Sequence, residues 1–223
     1  MFIAILGRQP EISIAELEAV YGAKNVQKIS NQAATVNRDN LSIDNLGGTI
    51  KCGQVITKIK SQKSDRNTLL QASKIIVEKY TKKLSHSQKK ITLGISFYGN
   101  KMDPRNIQKI GIILKNNLRK SGVSLRLIPN KTAALSTATS HNNKLGRSEA
   151  KIEIIIAKNV YGDLIIAESR GAQNINSYTQ RDRGRPKRDA FVGMLPPKLA
   201  QIMINLSGAK PDDYLWDPFC GTG

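Results

Sequence analysis

Cysteine is nearly absent from this 223-residue chain: Cys52 and Cys220 lie far apart, without the CxxC spacing of a zinc ribbon. Two such thiols exclude a secreted disulfide scaffold and suit a reducing cytosol, so a cytoplasmic protein without a metal site is expected. No apolar run approaches the ~18–20 residues that a membrane span needs. The first residues, MFIAILGRQPEIS, have neither a basic n-region nor a small-residue cleavage site, so no secretory signal is expected. Aromatic residues are scarce at 5%, but hydrophobic residues reach 39%, enough aliphatic material for cores of modest size and too much for a disordered chain. Internal repeats and low-complexity tracts are also missing. The sharpest shortage is of acid: 17 Asp plus Glu stand against 35 Lys plus Arg, for a formal net charge of +18.

That excess is unevenly placed. Residues 1–57 carry five bases and five acids, so the remainder, with 30 bases and 12 acids, holds the whole +18. Lys and Arg neutralise phosphates and release their counterions, so a polyanion is the partner such a bias suits, and nucleic acid is the expected one. The plainer alternative is a basic surface that serves solubility. Charge alone does not separate RNA from DNA.

The length suits one large domain or two small ones. FIAIL at 2–6 reads as a buried strand, and Pro10 opens an amphipathic helix closed near Gly22, with three Glu in its early turns. Strands are expected at 25–30, 33–37 and 49–59, making a small α+β unit. A polar linker, SQKSDRN, then leads to a helix over 68–84, a strand over 91–99 and a second helix over 104–120 capped by Asp103. Three further strands follow at 123–128, 152–157 and 163–169, the last two in a hairpin around Gly162. Between them lies a long polar loop, PNKTAALSTATSHNNKLGRSEA, of the kind that is usually functional or disordered. SYTQRDRGRPKRD reads as an Arg-rich linker, MLPPKLAQIMINLSG as a new helix, and YLW as an apolar strand entering a Gly-rich turn.

That turn carries the chemistry. DPFCGTG at 217–223 places a carboxylate and then glycines at the carboxyl end of a strand, where open α/β sheets bind ligands. It resembles motif I of S-adenosylmethionine-dependent methyltransferases, in the form found in enzymes that methylate exocyclic amines of nucleic-acid bases. With the upstream QRDRGRPKRDAFVGMLPPKLAQIMINLSG, the chain looks like the archaeal-eukaryotic type tRNA guanosine-N2 methyltransferases. LGRQPEISIAELEAVYG, GGTIKCGQV and LSTATSHNNKL extend the resemblance over the whole chain. It implies an α+β fold with a ferredoxin-like domain over 1–60, a THUMP RNA-binding domain over 61–170 and a basic linker over 171–190. The start of an incomplete Rossmann-like methyltransferase domain follows over 191–223. The second family motif, Asp/Asn-Pro-Pro-Tyr/Phe, and the acidic residue for the cofactor ribose are absent, so the chain is expected to be a fragment that is inactive alone.

By the same resemblance Asp217, Pro218, Phe219, Gly221 and Gly223 hold S-adenosyl-L-methionine, and no catalytic residue falls within the chain. Cys220 is a small packing residue, because methyl transfer needs no covalent enzyme intermediate. Two basic groups are the candidates for tRNA: Lys131, His141, Lys144 and Arg147 in the polar loop, and Arg181, Arg183, Arg185 and Arg188 in the linker. The linker puts five bases, Lys187 included, within eight residues with only Asp182 and Asp189 to balance them. Lys74, Lys79, Lys82 and Lys83 read as a solvated helix face, and His86 as solvated. The expected function is N2-methylation of guanosine in tRNA. The alternatives are a stand-alone THUMP-type RNA-binding module without catalysis, and a related DNA or rRNA amine methyltransferase.

Overall fold

A computed structural model describes residues 1–184 and 194–218. Its strands are β1 (Phe2–Leu6), β2 (Val26–Ser30), β3 (Ala33–Val36), β4 (Thr49–Ile59), β5 (Ile91–Tyr98), β6 (Leu125–Leu127), β7 (Lys151–Lys158) and β8 (Leu164–Ala172). The helices are α1 (Pro10–Tyr21), α2 (Asp65–Leu84), α3 (Pro104–Lys120), α4 (Thr137–Asn142), α5 (Ile175–Arg183) and α6 (Pro197–Ser207). All eight strands join in one sheet in the order β2-β3-β1-β4-β8-β7-β5-β6. β5 runs parallel to β6 and β7, and the other pairs are antiparallel.

The expected boundary at residue 60 falls at the end of β4, yet β4 pairs along most of its length with β8. The two halves of the chain therefore share a continuous sheet. Each half buries its own helices by the period of its apolar residues. Leu17 of α1 packs on Phe2, Ala4 and Leu6 of β1. Ala72, Ile76 and Tyr80 of α2 and Ile107, Leu114 and Leu118 of α3 cover Leu93 and Ile95 of β5 and Ile154 and Ile156 of β7. The alternate residues of those strands face the other way, where Ile3 and Ile5 meet Tyr98, Ile155 and Ala157. The sheet curls far enough for Val160 N–H to bond the Ile29 carbonyl at 3.2 Å.

Three expectations are corrected. α2 starts at Asp65, within the stretch read as a linker, because Ser64 caps it by accepting from Asn67 N–H. The linker over 171–190 opens instead with the last residues of β8 and then α5, capped by Asn174. Tyr214–Trp216 form no strand: Tyr214 and Trp216 are exposed, and a strand exists only where neighbouring backbone completes its ladder. No helix among the described residues is long and apolar enough to cross a membrane.

Candidate nucleic-acid interface

The polar loop is held at its root by a buried ionic network. Lys51 of β4 is fully buried, and its ammonium donates to Glu153 Oε1 at 2.5 Å, to the Leu135 carbonyl at 2.8 Å and to Ser96 Oγ at 3.4 Å. Ser96 Oγ donates to Glu153 Oε1 at 2.6 Å and accepts from Leu135 N–H at 3.0 Å. All three ammonium hydrogens are thus used, and both backbone groups of Leu135 are fixed. Burial pushes the Lys51 ammonium below its ordinary range, against the pull of Glu153. Ser136 then caps α4 by accepting from Thr139 N–H.

From α4 the chain turns back and brings Arg147 against β8. The guanidinium lies over Gly171, where a Cβ would stand 2.9 Å from Arg147 Nε, and Gly171 has a φ of +139°. A side chain there would be strained and would displace the arginine. Arg147 Nη2 also meets Asp44 Oδ1 at 3.2 Å. Beyond Gly171 the chain enters α5, whose Tyr178 ring carries Arg181 Cζ 4.4 Å from its centre and Lys198 Nζ at 5.4 Å. Burial raises the Tyr178 phenol above its ordinary value, the Arg181 charge opposing it.

These pieces enclose a cleft of about 340 Å³ lined by Asp44, His141, Arg147, Gln173, Asn174, Ser177, Tyr178 and Arg181. His141 and Arg147 of one expected basic group and Arg181 of the other thus meet in one concavity. Gln173 is buried, with Nε2 donating to the Leu46 and Gly47 carbonyls at 3.1 and 3.0 Å. Its Oε1 takes no hydrogen bond among the described residues. A basic, hydrogen-bonding cleft with one aromatic ring suits a phosphodiester with a base or sugar beside it.

Of the other candidates, Lys131, Lys144 and Arg183 are exposed and do not line the cleft. Asp217 and Pro218 are exposed near the end of the described chain. Arg185, Arg188, Phe219, Gly221 and Gly223 lie outside the described residues. Among the described residues no three His, Cys, Asp or Glu side chains group as a metal site would require. Sequence reasoning missed Gln173, Asn174, Ser177 and Tyr178, which no motif marks. Lys51 and Glu153 were also missed, though Glu153 is the lone acid in the apolar strand β7.

Three comparisons bear on this arrangement. Residues 185–223 match the family model described as UPF0020, an RMKL-like methyltransferase domain. A stretch of 109 residues is 29% identical to a tRNA (guanine(10)-N2)-dimethyltransferase of Methanocaldococcus jannaschii, covering 49% of this chain and 30% of that protein. A stretch of 44 residues is 50% identical to the enzyme of the same name from Methanothermobacter thermautotrophicus, covering 19% of this chain and 13% of that one. The chain therefore spans less than a third of the length of these curated relatives. Among solved structures, TrmN from Thermus thermophilus superposes with a TM-score of 0.51 over 93% of this chain and 55% of its own, at 12% identity, a likeness of fold. With DPFCGTG at 217–223, these matches show that the chain is similar in part to tRNA guanine-N2 methyltransferases.

Proposed function

We propose that the chain is the RNA-holding part, and the opening of the catalytic part, of an S-adenosylmethionine-dependent methyltransferase that modifies the exocyclic amine of guanosine in tRNA. The observation that carries this reading is the position of the basic cleft. Arg181 of α5 lines it, and the methyltransferase match begins at residue 185, just beyond that helix. In this reading residues 1–60 are the ferredoxin-like domain, 61–170 the THUMP domain, and the protein works in the cytoplasm.

The family's methyl donor is S-adenosylmethionine, which supplies an electrophilic methyl group when bound. The residue types at 217–223 suit it: a carboxylate such as Asp217 can accept hydrogen bonds from ammonium or hydroxyl groups, and the glycines at 221 and 223 carry no Cβ. The described residues do the rest of the work on the RNA. Arg147 and Arg181 neutralise phosphates, and His141, Ser177 and Asn174 offer hydrogen bonds in the cleft. Holding one end of the tRNA turns delivery of a distant base into a positioning problem. A base within a helix must also leave its stack to be methylated.

The test compares Lys144→Ala plus Arg147→Ala with Arg181→Ala plus Arg183→Ala, titrating labelled tRNA with and without its single-stranded 3′ end. If the loop meets that end within the cleft, trimming weakens the unmutated chain most, leaves the first variant unchanged and weakens the second less, because Arg181 lines the same cleft. Equal weakening of all three sinks the assignment of the loop to the end. Failure of the unmutated chain to bind tRNA sinks the reading itself.

A further inference from the structure

Glu16 of α1 is fully buried, in a half of the chain with no net charge. Its Oε1 accepts from Gly47 N–H at 2.8 Å and from Asn205 Nδ2 at 2.7 Å, and its Oε2 accepts from Gly48 N–H at 2.8 Å. Asn205 also donates to the Asn45 carbonyl at 2.8 Å. It belongs to α6, which lies within the stretch matched by the methyltransferase model. The first helix among the described residues of that stretch is therefore clamped to the N-terminal unit. Gly47 allows the approach, since a Cβ there would stand 2.2 Å from the Lys198 carbonyl of α6. Only Ile202 of α6 is buried, while Met203, Ile204 and Leu206 stay exposed, so polar bonds carry much of the docking.

The clamp and the cleft share parts. Gly47 gives its N–H to Glu16 and its carbonyl to Gln173, which lines the cleft, and Lys198 of α6 lies over the Tyr178 ring, which lines it too. We propose that Glu16 and Asn205 are positioning residues: they fix where α6, and the methyltransferase segment it opens, stands relative to RNA held in the cleft. Their side chains are engaged with each other and with the backbone at 45–48 rather than with the cleft. The proposal rests on the RNA-holding function above, and it makes the clamp a determinant of which nucleotide is presented.

Two measurements on the full chain test it. Hydrogen exchange is compared between the unmutated chain and Asn205→Ala. The variant should exchange roughly tenfold faster over 197–207, because a hydrogen bond to a charged acceptor is lost, with the β5 and β7 peptides unchanged. The second uses an iron chelate tethered to Ile204→Cys in a Cys220→Ser background to cleave bound tRNA transcript by hydroxyl radicals. Cys52 is buried with its thiol pushed up to about 12, so it escapes labelling. A discrete cut that spreads or moves in Asn205→Ala at equal RNA affinity supports the proposal, and Asn205→Gln restoring the cut strengthens it. An unchanged cut overturns it while the RNA-binding function stands. If the chain holds no RNA, that function fails, and unchanged exchange over 197–207 overturns the clamp by itself.

Discussion

Replacing Lys51 with methionine would leave Glu153 buried with Ser96 as a neutral donor and no counter-charge. Removing one partner of a buried ion pair costs about 3–5 kcal/mol, whereas replacing both with apolar residues often costs little. Lys51→Met should therefore lower stability in urea by that amount, and adding Glu153→Leu should recover most of it. A double variant no more stable than the single one would contradict this account. Glu168 of β8 makes a pH prediction. Burial alone would raise its carboxyl, but hydrogen bonds from Lys83 and from Tyr80 at 2.7 Å outweigh it and hold the group below its ordinary value of 4.5. A depressed folded value gives stability that is full above the unfolded value and lost as pH falls through the folded one. Glu168→Gln should flatten that acid loss, and acid titration of stability reads it. At this scale the site was half legible. Arg147, His141 and Arg181 stood out because they fall in a long polar loop and in a stretch dense in Arg. Gln173 and Tyr178 did not, because their roles arise from partners at Leu46 and Gly47, more than a hundred residues away.

At the scale of elements, α3 shows what periodicity can and cannot deliver. Asp103 caps it and Pro104 opens it, and Ile107, Ile110, Leu114 and Leu118 fall on one buried stripe, so sequence and structure agree over 104–120. Leu114 is fully buried in the larger core, and truncating such a leucine costs about 2–5 kcal/mol, according to how far the site collapses. Leu114→Ala should lose that much in urea, while exposed Ile112→Ala stays within about 0.5 kcal/mol. Equal losses would mean that the stripe is misassigned. The strands were legible from a related signal: continuous apolar runs in β1 and β7 mark their burial. What no local pattern conveys is the ladder joining β4 to β8, a pairing across more than a hundred residues that merges two expected units into one sheet. α4 and α5 were missed because their few apolar residues give no stripe. They are held by caps and by the cleft they line.

Across the whole molecule, the basic excess has a defined candidate contact in the cleft that Arg147 and Arg181 line. A +18 chain binds any polyanion to some extent, so affinity at low salt alone is a weak discriminator. The cleft makes a sharper demand. If Arg147 and Arg181 each neutralise a phosphate of the same RNA segment, removing either should flatten the plot of log affinity against log salt by about one unit. Lys79→Ala plus Lys82→Ala on α2, which contributes nothing to the cleft, should lower affinity less and leave the effect of end-trimming intact. Because Arg147 and Arg181 line one concavity, their losses should also couple. Residues that share a partner depart from additivity by about 0.5–3 kcal/mol, whereas independent sites add to within about 0.5 kcal/mol. A double-mutant cycle on labelled tRNA at constant salt measures that term. Strict additivity would return the two basic groups to separate places on the RNA, as their spacing in the sequence suggests. Coupling would show that the strand bringing Gly171 beneath Arg147 and the turn leading on to α5 exist to join them.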